Sequence, residues 1–238
     1  MPRTIAIVIF PEFQLLDAAG PIAAFELAGR EAPPSPYRLR VVAAADGPVA
    51  SSSGVMLTAE PLGEPAAIDT LLVTGGLGAH DSEPHAALLR WLREAATGAR
   101  RVASVCTGAY LLGAAGLLDG RRATTHWRYA AELARRYPGI RVEPDRIFVR
   151  DGNVVTGGGV TAGIDFALSL VAEIAGPETA QAIQLGIEYA PAPPFDAGSP
   201  ETAPPEVLAR TTERYAAGAA QRRAAVEAAA ERMRAAGF

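Results

Sequence analysis

Arg101-Val-Ala-Ser-Val-Cys106-Thr-Gly-Ala-Tyr-Leu-Leu-Gly-Ala-Ala115 is the stretch that decides how this chain folds. An apolar β-like run, Arg101 to Val105, meets a turn at Cys106-Thr107-Gly108-Ala109 and then a helix-like segment from Tyr110. The order is strand, sharp turn, helix. A side chain in such a turn projects from the carboxyl edge of a sheet, where the following N–H groups and the helix dipole favour negative charge. Cys106 is the only cysteine of the chain. A free thiol titrates near ~8.5 and helix N-termini lower that value, so this context predicts a thiolate and a nucleophile. The alternative is an inert buried thiol that packs as a small hydrophobe.

Working outward, Thr4 to Phe10 is a β-branched apolar run, and Leu16 to Ala28 carries apolar residues at helical spacing with Pro21 early. Strands are expected at Tyr37 to Ala45, Val55 to Thr58 and Thr70 to Thr74, with a helix at Pro84 to Ala96 before the cysteine strand. This alternation predicts an α/β fold: a mostly parallel sheet with helices on both faces. Ile147 to Arg150, the turn Asp151-Gly152-Asn153 and Val154 to Thr156 predict a hairpin appended to that sheet. Helices follow from Thr161 to Ala175 and from Pro177 towards Gly186. Pro191 to Pro205 is an extended loop, and Glu206 to Ala236 has a helical period. Only about 30 residues follow that loop, too few for a second independent domain, so one domain over 1–238 is expected.

Composition removes several chemistries. With 22 basic and 26 acidic residues the net charge is −4, which offers no footprint for a phosphate backbone or an anionic membrane. All the basic residues are arginine; lysine does not occur. Schiff-base enzymes and lysine-bearing phosphate loops are therefore excluded. One cysteine makes neither an internal disulfide nor a multi-cysteine metal site, which suits a reducing cytoplasm. The amino terminus is too short in apolar residues for a signal peptide, and no run is long enough to span a membrane.

The remaining candidates are few. Thr107 offers a hydroxyl and a backbone N–H beside Cys106, or serves as a helix N-cap. Asp17, in Gln14-Leu-Leu-Asp17-Ala-Ala-Gly-Pro21, falls after the first strand, at the sheet edge where open α/β folds bind ligands; otherwise it caps the helix. If Asp17 and Cys106 meet, their like charges predict one shared proton. Gly75-Gly76-Leu77-Gly78 and Gly157-Gly158-Gly159 are loops that can aim N–H groups at developing charge or simply turn the chain; Gly75, Gly76 and Gly108 are the candidates for an oxyanion or substrate site. His80 and His85 flank Asp81 and Glu83 without an evident third ligand set, so no metal site is expected. His126 is either a base for Cys106 or a histidine bonded to backbone. Trp127, Val160 and Phe25 are candidate pocket walls.

Assembled, the motifs resemble the ThiJ/PfpI superfamily, which shares its flavodoxin-like fold with class I glutamine amidotransferases. The resemblance rests on Asp17-Ala-Ala-Gly-Pro21, Gly75-Gly76, Val105-Cys106-Thr107-Gly108-Ala109, Gly116-Leu-Leu-Asp-Gly120 and Ala123-Thr-Thr-His-Trp127. Sensor domains of AraC-type regulators carry the same motifs, and those regulators add a helix-turn-helix module that the tail does not suggest. Thr156 to Asp165, Leu185 to Tyr189 and Ala190 to Pro200 are similar to isocyanide hydratases in particular. That likeness implies a Cys106 nucleophile, the Asp17 carboxylate and Thr107 at its side, no cofactor, a small-molecule isocyanide substrate and a homodimer. It implies a thioimidate intermediate hydrolysed to an N-substituted formamide. A redox or stress protein, a ligand sensor, and a protease-like or glyoxalase-like activity using Cys106 with His126 are the competing expectations.

Overall fold

The computed structural model describes residues 2–31, 35, 37–80 and 85–216. Two compact units divide the chain between Ala190 and Pro191. In the first, β1 (Arg3–Val8) leads to α1 (Leu15–Glu31), β2 (Tyr37–Ala43), β3 (Gly47–Ala50), β4 (Met56–Pro61) and β5 (Thr70–Val73). Then come α2 (Ala86–Gly98), β6 (Arg101–Ser104), α3 (Gly108–Ala114), β7 (Arg122–Ala123), α4 (Trp127–Arg136) and β8 (Arg141–Val142). A hairpin of β9 (Phe148–Asp151) and β10 (Val154–Gly157) precedes α5 (Ala162–Ala175) and α6 (Pro177–Gly186).

Eight strands form one sheet in the order β3-β4-β2-β1-β5-β6-β10-β9. The inner pairs are parallel; β3 on β4 and β9 on β10 are antiparallel and close the two edges. One row of the register crosses five strands: Val41, Ile7, Leu72, Ala103 and Val155. The last four are fully buried. Every residue of β5, β6 and β10 is buried, as a strand covered on both faces requires. Helices α1, α5 and α6 pack together, and so do α2 and α3, which gives the helical layers expected from the alternating pattern. Burying a side chain such as Leu72 contributes roughly 1.5–3 kcal/mol, so this central row anchors the sheet edge above it.

Close approach of α1 to α5 depends on small residues. A Cβ on Gly163 would lie 3.3 Å from the Pro21 ring, and one on Gly20 would lie 2.9 Å from Ile164. Pro21 does not begin α1 but sits inside it, because the helix starts at Leu15. The ring removes one bond of the first turns and gains the contact with α5.

Other expectations also shift. β2 ends at Ala43, and Gly47, with φ of 97°, starts β3, a strand the alternation did not suggest. Its partner β4 begins at Met56 and runs on to Pro61. Also unforeseen are α4, which buries only Ala130 and Leu133, and the pair β7 and β8, each two residues long. The hairpin of β9 and β10 turns at Gly152, φ 61°, as its Asp-Gly-Asn sequence suggests.

In the second unit, 205–216 are helical and 191–204 are irregular. The rest of the expected tail helix, residues 217–236, lies outside the described residues.

Candidate active site

Strand order places the site. β1 is flanked by β2 on one side and β5 on the other, so the connections leaving β1 and β5 diverge over the carboxyl ends of the strands. A crevice at such a switch point is where open α/β sheets bind ligands. Asp17 leaves the end of β1, Gly75 and Gly76 leave β5, and Cys106 leaves β6.

Cys106 occupies the turn between β6 and α3 with φ of 53°, one of only three non-glycine residues at positive φ among the described residues. An L residue pays for this conformation, so surrounding contacts must hold it. The Cys106 N–H donates to Gly157 O at 3.1 Å, and its C=O accepts from the Thr125 hydroxyl at 2.7 Å. Thr125 is itself fixed by its neighbour: the Thr124 N–H donates to Thr156 Oγ1 on β10 at 2.8 Å. The Gly157-Gly158-Gly159 loop thus supports the elbow through a carbonyl, while the Gly158 N–H is committed to Ile147 O at 2.7 Å.

Asp17, in the first turn of α1, is fully buried. Its Oδ2 accepts the Gly75 N–H at 2.8 Å, and its Oδ1 has no partner among the described residues. Gly75 is where the groups converge. A Cβ there would stand 2.5 Å from Thr107 N, 2.8 Å from Cys106 Cβ and 2.9 Å from Asp17 Oδ2. Asp17 and Cys106 therefore crowd a single point. The Thr107 hydroxyl holds Gly76 by both ends, accepting its N–H at 2.9 Å and donating to its C=O at 2.9 Å. Thr107 also presents its N–H and hydroxyl to the Cys106 side chain.

Burial raises the Asp17 carboxyl to about 7, against the smaller opposing effect of the Gly75 N–H. Burial likewise pushes the Cys106 thiol up, and the Asp17 charge pushes it further, while the Thr107 N–H and hydroxyl act in the opposite sense. This differs from the expectation of a thiol lowered by a helix N-terminus. Cys106 is 6% exposed, and α3 has only seven residues. Burial of the sulfur is the largest cause and the Asp17 charge the next, both outweighing the Thr107 hydrogen bonds. The two acids lose their first proton near neutrality and retain the second to high pH, which keeps one proton between them.

The three glycine N–H groups considered for an oxyanion site are all engaged by the protein: Gly75 to Asp17, Gly76 to Thr107, and Gly108 to Val105 O at 2.9 Å. Their glycine character has another cause. A Cβ on Gly108 would lie 2.4 Å from Val73 O, and one on Gly76 would lie 2.3 Å from Glu12 O. These residues let the strand ends approach closely.

His126 caps α4, its Nδ1 accepting the Arg128 N–H at 3.2 Å, and stacks on Trp127 with ring centroids 5.7 Å apart. Burial and then the Arg128 charge hold its pKa below the ordinary value. That is the backbone-bonded alternative for His126. His85 bonds Gly78 O at 2.8 Å and packs its edge on Phe10. Among the described residues no three His, Cys, Asp or Glu side chains gather as metal ligands; Asp81 and Glu83 lie outside those residues. Phe25 is fully buried against Tyr37, the first residue of β2, and so belongs to the core at the opposite end of the sheet from the cysteine. Val160 and Trp127 are half-buried. Among the described residues no helix is long and apolar enough to cross a membrane. The residue that sequence reading passed over is Thr125: its motif drew attention to the histidine beside it.

A mostly parallel sheet in flavodoxin-like order, with a cysteine on a positive-φ elbow over a buried carboxylate, defines a class of α/β proteins built around one thiol. Within it the chain belongs to the DJ-1/PfpI family, whose family model matches residues 3–173. It is 43% identical to an isonitrile hydratase from Pseudomonas putida over 98% of this chain and 99% of that protein. It is 37% identical to the HTH-type transcriptional regulator CdhR of Pseudomonas aeruginosa over 60% of this chain and 43% of the regulator. Among solved structures, a ThiJ/PfpI family protein from Pseudomonas syringae superposes with a TM-score of 0.82 at 35% identity, covering 91% of this chain and 87% of that one.

Proposed function

We propose that this protein hydrates an isocyanide to an N-substituted formamide through a covalent intermediate on Cys106. The observation that carries the reading is near-full-length similarity to an isonitrile hydratase, at 43% identity over 98% of the chain. The grouping of Cys106, Asp17 and Thr107 around Gly75 supports it with chemistry.

The terminal isocyanide carbon is electrophilic. The Cys106 sulfur adds to it as the proton of the Asp17 site passes to that carbon, leaving a thioimidate and an Asp17 carboxylate. Water adds to the thioimidate carbon; one of its protons goes to nitrogen and the other restores Asp17. Collapse of the adduct expels the sulfur and leaves the formamide. The Thr107 N–H faces the sulfur and is the donor best placed to stabilise charge during these steps. Gly75 and Gly76 contribute by fixing Asp17 and Thr107. The reading needs no metal or organic cofactor. It includes a single catalytic domain and a homodimer acting in the cytoplasm on a small molecule, without nucleic acid or membrane.

Incubating purified protein with simple alkyl and aryl isocyanides tests this. Formamide formed by the native chain and absent with Cys106→Ala is the expected result. No formamide from any of several isocyanides overturns it.

A further inference from the structure

We propose that Thr125 is a positioning residue for the reaction, acting through the Cys106–Thr107 peptide to aim the Thr107 N–H at the reacting sulfur. The inference rests on the reading of Cys106 as the reactive thiol. The Cys106 C=O and the Thr107 N–H belong to one planar peptide unit and point in opposite directions across it. Whatever holds the carbonyl therefore holds the N–H. The Thr125 hydroxyl donates to that carbonyl at 2.7 Å, and Thr125 is 1% exposed, so no solvent competes for the bond. On the other side of Cys106 its own N–H is bonded to Gly157 O at 3.1 Å. The two bonds clamp a residue at φ 53°, a conformation that relaxes unless it is held from both sides.

Thr125 has a firm base for this task. Fully buried Thr124 and Thr156 tie the segment that follows β7 to β10 through a 2.8 Å bond, and a Cβ on Gly158 would lie 3.8 Å from Thr125 O. On the far side of the peptide, Thr107 N sits 2.5 Å from where a Gly75 Cβ would be, so the N–H has little lateral room. A carbonyl that accepts a hydrogen bond also makes the N–H of its own peptide a stronger donor. Thr125 thus sets both the direction and the strength of the donor facing the sulfur. It touches neither sulfur nor substrate.

Thr125→Val keeps the shape and removes the donor. Two readouts are taken beside thermal melting: kcat/KM on an isocyanide, and the pH dependence of Cys106 alkylation by iodoacetamide, which reports thiolate directly. Thr125→Val is expected to lower kcat/KM roughly 10- to 100-fold and to move the alkylation profile to higher pH, with Thr125→Ser restoring both. An alkylation profile and kcat/KM unchanged in folded Thr125→Val overturn the proposal, and so does equal impairment of Thr125→Ser and Thr125→Val. Should Thr125→Val not fold, Thr125→Ala carries the same comparison, with an unchanged alkylation profile counting against it. Because alkylation needs no isocyanide, a native protein without hydratase activity would end the proposed function while leaving this inference to its own measurement.

Discussion

Asp17 receives the Gly75 N–H on Oδ2 at 2.8 Å and keeps Oδ1 buried without a partner among the described residues. The bonded oxygen is poorly disposed to carry a proton, since its lone pair already faces a donor. Oδ1 is therefore the proton-bearing atom. A carboxyl raised to about 7 is half-protonated near neutral pH, the condition in which an acid can both give and take.

The pH dependence of kcat/KM follows from that pair. Below about 7 both Asp17 and Cys106 are protonated, and no thiolate can form at their joint expense. Activity is expected to rise with pH through about 7 as the first proton leaves, then to fall at high pH when the second does. Asp17→Asn should remove the limb near 7, leaving only the rise from ionisation of the buried thiol at higher pH, and should remove most of the turnover. A profile in Asp17→Asn that superimposes on the native one would remove Asp17 from the mechanism.

The same shift predicts a gain in stability. A raised carboxyl binds its proton more tightly in the folded chain than in the unfolded one, so its contribution is present below the ordinary value near 3.8 and is lost as pH rises to about 7. Asp17→Asn keeps an acceptor for Gly75 and cannot ionise. Relative to the native protein it should be stabilised at pH 8 by up to about 4 kcal/mol and much less at pH 4, as read from denaturant midpoints. An equal change at both pH values would contradict this account.

Gly75→Ala tests the convergence of the site. Its Cβ would fall 2.5 Å from Thr107 N and 2.8 Å from Cys106 Cβ, both on rigid parts of the chain. Displacing these groups should reduce kcat/KM by roughly 100-fold while circular dichroism shows the fold retained. Near-native activity would mean that the crowding at this point is unimportant.

His126→Ala separates capping from catalysis. Loss of the Nδ1 cap on the Arg128 N–H should cost about 1 kcal/mol of stability and leave kcat/KM within a few fold. A loss of activity comparable with Cys106→Ala would instead make His126 part of the chemistry.

The elbow was legible because its signal is local: an apolar run, a cysteine and a small-residue turn before a helix occupy fifteen consecutive residues, Arg101 to Ala115. The hairpin at Gly152 and helices α5 and α6 were legible for the same reason. By contrast, β7 and β8 are two residues each, too short for any alternation to register, α4 is a ten-residue helix that buries only Ala130 and Leu133, and β3 exists by pairing with β4. Glycine at 75, 76 and 108 was visible as turn chemistry, yet its purpose is the absence of a Cβ between strand ends.

From sequence alone came the α/β architecture, the exclusion of lysine chemistry and the placing of one thiol at a sheet rim, all properties carried by neighbouring residues or by composition. Tertiary structure decided which groups the thiol meets and in which direction its acidity moves. The bond from Gly75 to Asp17 spans 58 residues and the bond from Thr125 to Cys106 spans 19, so neither leaves a local pattern to read. The thiol's rise also depends on how completely the folded chain shuts out water, which burial by distant segments alone determines.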